Sequence, residues 1–372
     1  MSRPLRIGVN ALFLIPGGVG GTEIYLREVM AALGRNPRNH QFFVFLNRET
    51  GPNLVPEHPA FHAVPTGVAA TSRPQRLLYE QSGFLGRVKE TNVDVLFNAG
   101  YTAPHFLRRP SVTVFFDMQH HHHPEFFGSV ELLAWRFVVW SAARASRRIL
   151  TISGASRTDI HEVYGFPLDR IDVAEPGVDP ELLALQRRPS EPMVLYVSTL
   201  HPKKNHERLI DAFAEFRVLH PQYRMVLAGL FGSHHEAVKQ RIAHHRLEEW
   251  IHITGWIPRA DILDLYSRAS IAVFPSLFEG FGIPVLEAMA AGVPLITSDH
   301  PPMSEAAGDG AMLFPATDPK SLTACLNRLA SDAELRAHYV EKGRERVLRY
   351  SWDNAASNIL DSLEKATMEA RS

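Results

Sequence analysis

Short apolar segments alternate with amphipathic segments of helical period along almost the whole chain, and this alternation limits the fold more than any other feature. After the first apolar segment, a glycine loop precedes a helical pattern with Leu26, Val29 and Leu33 on one face. Strands that alternate with helices form a parallel sheet covered on both faces. In the first half the predicted strands are 5–9, 41–46, 93–97, 112–116 and 148–152, and the predicted helices include 74–88 and 129–145.

The same pattern restarts in the second half, after a charged and proline-containing segment, residues 181–192, that we interpret as a linker. A chain of 372 residues is long enough for two domains that each bury a core. We therefore predict an α/β protein with two Rossmann-like domains, 1–180 and 193–352, whose parallel sheets face a central cleft. The predicted strands of the second domain are 193–197, 225–228, 251–254, 271–274 and 295–297, with helices over 207–218, 260–268 and 321–329.

Charge and cysteine content exclude several classes of protein. The formal net charge of −1 gives no support to a nucleic-acid partner. Cys325 is the only cysteine, so no internal disulfide can form and a reducing compartment is expected. No stretch approaches the roughly 20 apolar residues of a transmembrane helix, and the N-terminus does not resemble a signal peptide. We expect a cytoplasmic two-domain enzyme or binding protein.

Two glutamates, Glu279 and Glu287, flank a glycine-rich turn between a predicted strand and a predicted helix. Pro284 fits the first turn of that helix, where its missing N–H is not needed. The backbone N–H groups of Gly280 and Gly282 have no side chain to cover them, and a helix N-terminus favours anions. Carboxylates beside an anion site indicate a ligand that carries both hydroxyl groups and phosphate.

Two further segments of the second half agree with such a ligand. Lys203 and Lys204 follow the first strand of the second domain, where a lysine can neutralise a diphosphate, and Asn205 is a candidate N-cap. Trp256 lies where the segment 254–258 leaves a predicted strand, and backbone groups there can read the edge of a base. Together the three segments predict a nucleotide-sugar site.

These motifs resemble those of retaining glycosyltransferases of family four, which have the two-domain GT-B architecture, and the likeness covers nearly the whole chain. The resemblance implies that a last helix, 353–372, returns to the N-terminal domain, which would be the acceptor side. The residues that carry the resemblance are Gly17–Glu23, Asp117–His120, His123–Phe127, Lys204, Asn205, Leu209, Ile210, Ala212, Phe213, Gly255, Trp256, Leu265, Tyr266, Phe274–Ser276, Glu279–Gly282, Pro284, Glu287–Ala290, Gly292, Pro294 and Arg349–Trp352.

The resemblance also implies a reaction and a set of site residues. Transfer would retain the anomeric configuration by front-side attack, with a leaving phosphate oxygen taking the acceptor's proton. Glu279 would accept hydrogen bonds from the donor sugar and Glu287 from the ribose, while Lys204 would balance the negative charge of the diphosphate. The implied catalytic residues are Glu279, Lys204, Asp117 and His120, and the implied donor-binding residues are Gly20, Gly21, Lys203, Trp256, Gly280, Phe281, Gly282, Ile283 and Glu287.

The chain departs from the family pattern at two places. Ser198 and Thr199 stand where the family often has Gly-Arg, whose arginine shares the diphosphate with the lysine, so Lys203 is a candidate to assist. Phe116 stands where the family often has a histidine near the donor sugar. His120, three residues beyond Asp117, is the candidate replacement for that histidine.

The expected partners are a GDP-sugar or UDP-sugar donor, with mannose as one candidate, and a glycan or lipid-linked acceptor of cell-surface polysaccharide synthesis. No metal or other cofactor and no nucleic acid are expected, and the oligomeric state is open. The alternatives are a nucleotide-sugar epimerase or hydrolase of the same architecture, and a non-catalytic sugar-nucleotide-binding protein. A dehydrogenase is disfavoured because the loop 17–21 lacks the spacing G-x-G-x-x-G.

Two segments of the first half carry alternatives of their own. The histidine run 120–123 is interpreted as a loop on the acceptor side rather than a metal site, because adjacent histidines on an extended segment point different ways. The helix 129–145 is interpreted as largely buried, with its arginines reaching solvent. The alternative for that helix is a membrane-surface patch, which would put the protein at the inner face of a membrane.

Overall fold

The computed structural model describes residues 3–17 and 20–370, and the chain divides into two compact units. The N-terminal unit comprises Met1–Gly177 and Ser351–Ser372, and the C-terminal unit comprises Val178–Tyr350. Gly18 and Val19 of the predicted glycine loop lie outside the described residues. None of the helices in the described ranges is long and apolar enough to cross a bilayer.

The N-terminal unit is built on a seven-stranded sheet with the order β3-β2-β1-β4-β5-β6-β7, in which all pairs are parallel. Its central strands are buried along their length, as expected for a sheet covered on both faces. The strands are β1 (Arg6–Asn10), β2 (Gln41–Leu46), β3 (Phe61–Pro65), β4 (Val95–Asn98), β5 (Ser111–Val114), β6 (Arg148–Thr151) and β7 (Ile171–Val173).

The helices of this unit include the last helix of the chain, which packs against the first. Trp352 at its start is only 6% exposed and meets the ring of Tyr25 edge-on at 5.8 Å. At its other end, Glu369 receives a hydrogen bond from Arg148 at 2.5 Å. The helices are α1 (Gly21–Arg35), α2 (Arg73–Glu80), α3 (Gly83–Glu90), α4 (Gln119–His122), α5 (Ser129–Ala145), α6 (Gly154–Tyr164) and α15 (Trp352–Glu369).

Two predictions for this unit are wrong. The predicted helix 74–88 is two helices, because Ser82 leaves the helical conformation (φ −131°, ψ −93°) between α2 and α3. The helix α5 has the predicted bounds, but it is not largely buried: its buried residues are Val139, Ala142 and Ala143. Trp135 is partly buried against the same core cluster, whereas Val130, Leu133, Phe137 and Trp140 are exposed.

The C-terminal unit has a six-stranded parallel sheet with the order β10-β9-β8-β11-β12-β13. Two Rossmann-like parallel sheets were predicted, and this part of the prediction is confirmed. The segment predicted as a linker, 181–192, holds most of α7 and the first residues of β8. The elements are α7 (Pro180–Leu183), β8 (Glu191–Val197), α8 (His206–Leu219), β9 (Arg224–Ala228), α9 (His235–His244), β10 (Ile251–Gly255), α10 (Arg259–Arg268), β11 (Ala269–Phe274), α11 (Ile283–Ala290), β12 (Leu295–Ser298), α12 (Pro301–Ala307), β13 (Met312–Phe314), α13 (Pro319–Ser331) and α14 (Ala333–Val347).

Candidate functional site

The candidate site lies where the strand order of the C-terminal sheet reverses. Strands β8 and β11 are neighbours there, with β9 and β10 on one side and β12 and β13 on the other. The loops after β8 and β11 leave in opposite directions and open a crevice beyond the carboxyl ends of the strands, the usual ligand position in open α/β sheets. Lys204 lies in the first of these loops and Glu279 in the second.

Lys204 and Glu279 form an ion pair, with 2.5 Å between Nζ of the lysine and Oε1 of the glutamate. Nζ of Lys203 lies 4.0 Å from the other carboxylate oxygen. Burial alone would raise the pKa of Glu279, but Lys204 and Lys203 outweigh it and lower that pKa to about 2. The carboxylate is therefore ionised at neutral pH although its side chain is only 13% exposed.

Hydrogen bonds from the loop after β8 to the loops after β11 and β13 hold this pair in place. The amide of Asn205 donates to the carbonyl oxygens of Pro275, at 2.9 Å, and Ala316, at 2.8 Å. The N–H of Leu277 donates to the carbonyl of Lys203 at 2.8 Å. Asn205 does occupy the N-cap position of α8, but it is left-handed (φ 61°) and its side chain does not cap the helix as predicted. Its amide serves the loop contacts instead.

The turn before α11 is shaped by a glycine and two buried aromatic rings. Gly282 precedes the helix at φ +107°, a conformation that other residues rarely adopt, and a Cβ there would lie 2.6 Å from Sδ of Met303. Phe278 packs edge-on against His300, and Phe281, 2% exposed, packs edge-on against Tyr350. With their rings committed to the core, Phe278 and Phe281 have only backbone groups to offer a ligand.

Glu287, one turn into α11, has partners that the sequence did not predict. Arg259 at the start of α10 donates to its Oε1 at 3.1 Å, and the hydroxyl of the buried Tyr266 donates to its Oε2 at 3.3 Å. Arg259 also forms an ion pair with Asp179, the N-cap of α7. Burial raises the pKa of Glu287, although Arg259 and Tyr266 both stabilise its ionised form. Arg259 is thus a site residue that the sequence analysis missed, since it belongs to no motif.

Trp256 follows the end of β10, the edge strand of the same sheet, and is 70% exposed. The turn before it requires Gly255 at φ +67°, and a Cβ there would touch the ring of Phe231 at 3.0 Å. Phe231 is itself 57% exposed. The end of β10 therefore presents exposed aromatic surface, which can stack on a planar ring.

Asp117 follows β5 at the carboxyl edge of the N-terminal sheet, where Tyr101 makes two hydrogen bonds to it. The tyrosine hydroxyl donates to Oδ1 of Asp117 and accepts the N–H of the same residue, both at 2.9 Å. Burial and Asp117 together raise the pKa of Tyr101, so the hydroxyl stays protonated and able to donate. Phe116 is 5% exposed and packs against the rings of Tyr25 and Tyr101.

The position of His120 does not support the predicted contact with a donor sugar. The residue is 2% exposed, and its Nε2 is 2.7 Å from the hydroxyl of Tyr164 on α6. Burial lowers the pKa of His120 to about 4, so the ring is neutral at pH 7. The side chain is committed to the core, because α4 winds the histidine run into one helical turn that directs this ring inward.

Two other histidines of the run have separate carboxylate partners. His122 pairs with Asp159 at 3.1 Å and His123 with Glu125 at 2.8 Å. Across residues 3–17 and 20–370, no cluster of three or more His, Cys, Asp or Glu side chains is placed to hold a metal ion.

The glycine loop after β1 closes on Glu23 in the first turn of α1. Oε2 of Glu23 accepts the N–H of Gly17 at 2.7 Å, and Oε1 accepts a hydrogen bond from Arg27 at 2.8 Å. Gly20 precedes α1 at φ 60° and ψ −131°, a region that essentially only glycine occupies. Gly20 and Gly21 are exposed, with no atom within 4 Å of a Cβ built on either. Both positions leave room for a ligand to approach the backbone.

A buried polar network at the carboxyl ends of β1 and β4 also escaped the sequence analysis. Glu80, 1% exposed, accepts hydrogen bonds from Asn10 at 3.3 Å and Thr102 at 3.0 Å. Asn10 also donates to Asn98 at 3.1 Å. Burial raises the pKa of Glu80. The residues come from α2, β1, β4 and a loop, so no local pattern could have grouped them.

Comparison with known proteins assigns both halves of the chain. Residues 19–182 match the profile described as Glycosyltransferase Family 4, and residues 183–346 match Glycosyl transferases group 1. The O-antigen chain mannosyltransferase B of Escherichia coli is 27% identical over 70% of this chain and 71% of its own length. The O-antigen chain mannosyltransferase RfbU of Salmonella typhimurium is 26% identical over 78% of this chain and 81% of its own.

Solved structures of GT-B glycosyltransferases share the fold. Sucrose-phosphate synthase from Thermosynechococcus elongatus superposes with a TM-score of 0.80 at 17% identity, over 99% of this chain and 100% of that one. HepE from Anabaena, solved in complex with UDP-glucose, has a TM-score of 0.75 at 21% identity, over 97% of this chain and 100% of that one.

Proposed function

The chain belongs to glycosyltransferase family 4 and carries the group 1 domain, and on this premise we propose a retaining hexosyltransferase that uses a nucleotide-diphosphate sugar. The group transferred is mannosyl-like, and the acceptor is a glycan or a lipid-linked glycan of cell-surface polysaccharide synthesis. The names of the two O-antigen mannosyltransferases support this choice of sugar and acceptor.

One observation carries the proposal: a lysine and a glutamate in contact at the strand-order reversal, beside a helix N-terminus that bears a second glutamate. Lys204 and Glu279 are 2.5 Å apart, and Glu287 lies in the helix that begins after Gly282. A cation and a helix N-terminus suit a diphosphate, whereas carboxylates suit the hydroxyl groups of two sugar rings. A nucleotide sugar carries both kinds of group, because its diphosphate lies between the donor sugar and the ribose.

We assign the roles by an exchange of partners. In the structure Lys204 and Glu279 neutralise one another, and in the proposed complex with the donor the lysine turns to the diphosphate while the glutamate accepts hydrogen bonds from the donor sugar. Glu287 accepts hydrogen bonds from the ribose, positioned by Arg259 and Tyr266. Lys203, whose amine lies 4.0 Å from Glu279, assists with the diphosphate.

Bond cleavage at the anomeric carbon leaves negative charge on the phosphate. Fixed cations and backbone N–H groups aimed at that charge lower the barrier, because they need no reorganisation during the reaction. The groups proposed for this task are Lys204 and the backbone around Gly280, Phe281, Gly282 and Ile283. The same phosphate oxygen takes the proton of the acceptor hydroxyl that attacks from the same face, so the configuration is retained and no metal is needed.

The other proposed site residues are assigned from their exposure and their place in the fold. Trp256 offers an exposed ring and strand-end backbone for the base. Gly20 and Gly21 let the first loop approach the phosphates and the acceptor. Asp117, oriented by Tyr101, is the proposed polar contribution of the N-terminal unit on the sugar side. His120 is given no catalytic role, because its ring is held in the core by Tyr164.

The experiment is an incubation of the purified protein with GDP-mannose or UDP-glucose and a polyprenyl-diphosphate-linked sugar, with product and nucleoside diphosphate measured together. We expect acceptor-dependent product with the donor's own anomeric configuration by NMR, and its loss in Glu279→Gln. An inverted product would refute retention. Equal nucleoside diphosphate release without acceptor would favour the hydrolase, and an altered sugar nucleotide would favour the epimerase.

The base can be identified without an acceptor. A ligand that binds only the folded state raises the unfolding temperature more strongly the tighter it binds. We expect either UDP or GDP to give a clearly larger shift than dTDP at equal concentration. Equal shifts from the three nucleotides would mean that the base is not read, and no shift from any of them would contradict the proposed site.

A further inference from the structure

Glu80, the last residue of α2, joins two loops that leave the N-terminal sheet where its strand order reverses. The reversal lies between β1 and β4. Oε1 of Glu80 accepts hydrogen bonds from Asn10, at the end of β1, and from Thr102, in the loop after β4, at 3.3 and 3.0 Å. Oδ1 of Asn10 in turn accepts the N–H of Leu12 at 3.2 Å. One buried carboxyl group therefore holds the starts of both loops.

The next residue, Gln81, holds the loop after β4 a second time, further along the chain. Its amide nitrogen donates to the carbonyl of Ala103 at 3.0 Å, and its amide oxygen accepts the N–H of His105 at 2.8 Å. Together with the bond from Thr102, three hydrogen bonds to two consecutive side chains fix residues 101–105 against the end of α2. Thr102 and Ala103 are 5% and 3% exposed, so this part of the loop is also packed.

The same loop carries Tyr101, whose hydroxyl reaches the end of the neighbouring strand β5. This hydroxyl makes two hydrogen bonds to Asp117, one with its carboxylate and one with its N–H. Oδ1 of Asp117 also accepts the N–H of Gln119 at 3.2 Å. A shift of the loop would move the tyrosine hydroxyl, and the carboxylate of Asp117 would lose its place.

We propose that Glu80 and Gln81 are positioning residues for the transfer reaction, because they fix the loop from which Tyr101 holds the carboxylate of the site. This inference rests on the proposed function, in which Asp117 is the polar contribution of the N-terminal unit on the sugar side. Glu80 is 1% exposed, so it acts through its hydrogen-bond partners and not by contact with a substrate.

The surroundings of Glu80 favour placement of the loops, rather than stability, as its task. Its Oε2 has no hydrogen-bond partner among the described residues, and Nη1 of Arg76 lies 3.6 Å from Oε1. Burial of a carboxyl group costs free energy, which hydrogen bonds to one of its two oxygens offset only in part. An apolar side chain would avoid this cost, but it could not accept the hydrogen bonds of Asn10 and Thr102. The position therefore requires the acceptor oxygen.

The test compares variants of the full chain in acceptor-dependent transfer and in calorimetric titration with GDP and UDP. Glu80→Leu removes the acceptor oxygen, so turnover should fall about tenfold to 100-fold, the effect of a small misplacement in a catalytic site. Glu80→Gln keeps one acceptor oxygen and should stay within about threefold of the unaltered protein. Both variants should bind the nucleotides unchanged, because the cations proposed to bind the diphosphate lie in the C-terminal unit.

Two further variants keep the test decisive if Glu80→Leu does not fold. Gln81 is only partly buried, and Gln81→Leu should lower turnover about threefold to tenfold through the loss of two hydrogen bonds. Tyr101→Phe removes the contact with the site carboxylate. If the two α2 residues act through Tyr101, Gln81→Leu/Tyr101→Phe should lose no more turnover than Tyr101→Phe alone. Losses that multiply in this double variant would overturn the proposal.

His40→Gln is the matched control. His40 is also 1% exposed and accepts a backbone N–H, that of Leu5 at 3.0 Å, but it lies before β2, at the amino edge of the same sheet. This variant should keep the turnover of the unaltered protein. Turnover equal to the control's in both Glu80→Leu and Gln81→Leu would overturn the proposal.

Amide hydrogen exchange measures the placement of Asp117 without any substrate. Its N–H should exchange faster in Glu80→Leu and Gln81→Leu than in His40→Gln, because Tyr101 no longer holds it. Unchanged exchange at this position would overturn the inference. Faster exchange in a protein that transfers no sugar would instead overturn the proposed function, while confirming that Glu80 and Gln81 place Asp117.

Discussion

Replacement of Lys204 by methionine tests whether this lysine serves the diphosphate or only neutralises Glu279. Methionine keeps an unbranched side chain of similar length and removes the charge. Nζ of the lysine lies 2.5 Å from the carboxylate, and the two side chains are 18% and 13% exposed. The variant therefore removes the nearest counter-charge of a largely buried carboxylate and, on our proposal, the main cation at the diphosphate.

The magnitude for stability follows from the pKa of Glu279. A pKa lowered from 4.5 to about 2 corresponds to roughly 3 kcal/mol in favour of the ionised form in the folded state. Lys203 at 4.0 Å supplies part of this, so we expect Lys204→Met to lower the unfolding free energy by about 1–3 kcal/mol at pH 7. The double variant Lys204→Met/Glu279→Gln should recover most of that loss, because no buried carboxylate is left unpaired.

The expected effect of Lys204→Met on turnover is larger than its effect on stability, and the two are measured separately. Loss of one charged group that stabilises a developing oxyanion costs about 3 kcal/mol, so turnover should fall about 100-fold. The affinity for the nucleoside diphosphate should fall about tenfold or more, since a hydrogen bond to a charged group contributes about 1.5–3 kcal/mol. Glu279→Gln should instead leave that affinity unchanged or raise it, because it releases Lys204 from its partner, while turnover still falls.

The assay combines calorimetric titration with the nucleoside diphosphate, steady-state turnover and denaturant unfolding. Lys239→Met is the control: this lysine lies on α9 in the same unit, is 55% exposed and is paired with Glu236. If Lys204→Met binds the nucleoside diphosphate within twofold of the control, the diphosphate role is refuted. If only stability changes, Lys204 is a structural partner of Glu279 and nothing more.

Three further predictions concern other parts of the C-terminal unit. Arg259→Gln removes the positioning partner of Glu287 and should raise the KM for the donor about tenfold with a smaller change in kcat. Arg259→Lys should keep part of the affinity for the donor. An unchanged KM in Arg259→Gln would contradict this role. Burial lowers the pKa of His206 to about 3, below the ordinary 6.5, so the unfolded state binds the proton and stability is lost as pH falls. The loss should be about 1.4 kcal/mol per unit between pH 6.5 and 5, and His206→Gln should flatten this slope in denaturant unfolding. Gly282→Ala should destabilise the unit by about 1–3 kcal/mol, because φ is +107° there, whereas Gly51→Ala, at φ −67° in open space, should stay within about 0.5 kcal/mol by the same measurement.

Features that depend on neighbouring residues could be predicted from the sequence, whereas features that depend on distant residues could not. The alternation of strands and helices could be predicted because each element buries one face or both. This requirement gives the apolar residues of strands and of helices different spacings along the chain. The split of helix 74–88 was missed, since a serine and a glycine inside a helical pattern do not by themselves end it. The exposure of α5 was also missed, because the apolar residues of a helical segment do not show how much of the helix the sheet will cover.

What the sequence determined by itself is the family, the two-sheet α/β fold, and the segments that carry Lys204, Glu279 and Glu287. The fold follows from the alternation of apolar and amphipathic segments, and each of these three residues is marked by a short run of neighbours. What only the tertiary structure decided is which side chains meet. Arg259 joins Asp179 to Glu287, and His120 turns into the core towards Tyr164. The physical reason is that these contacts join residues 28 to 80 positions apart, and packing of whole elements, rather than any local preference, brings such atoms within hydrogen-bond distance.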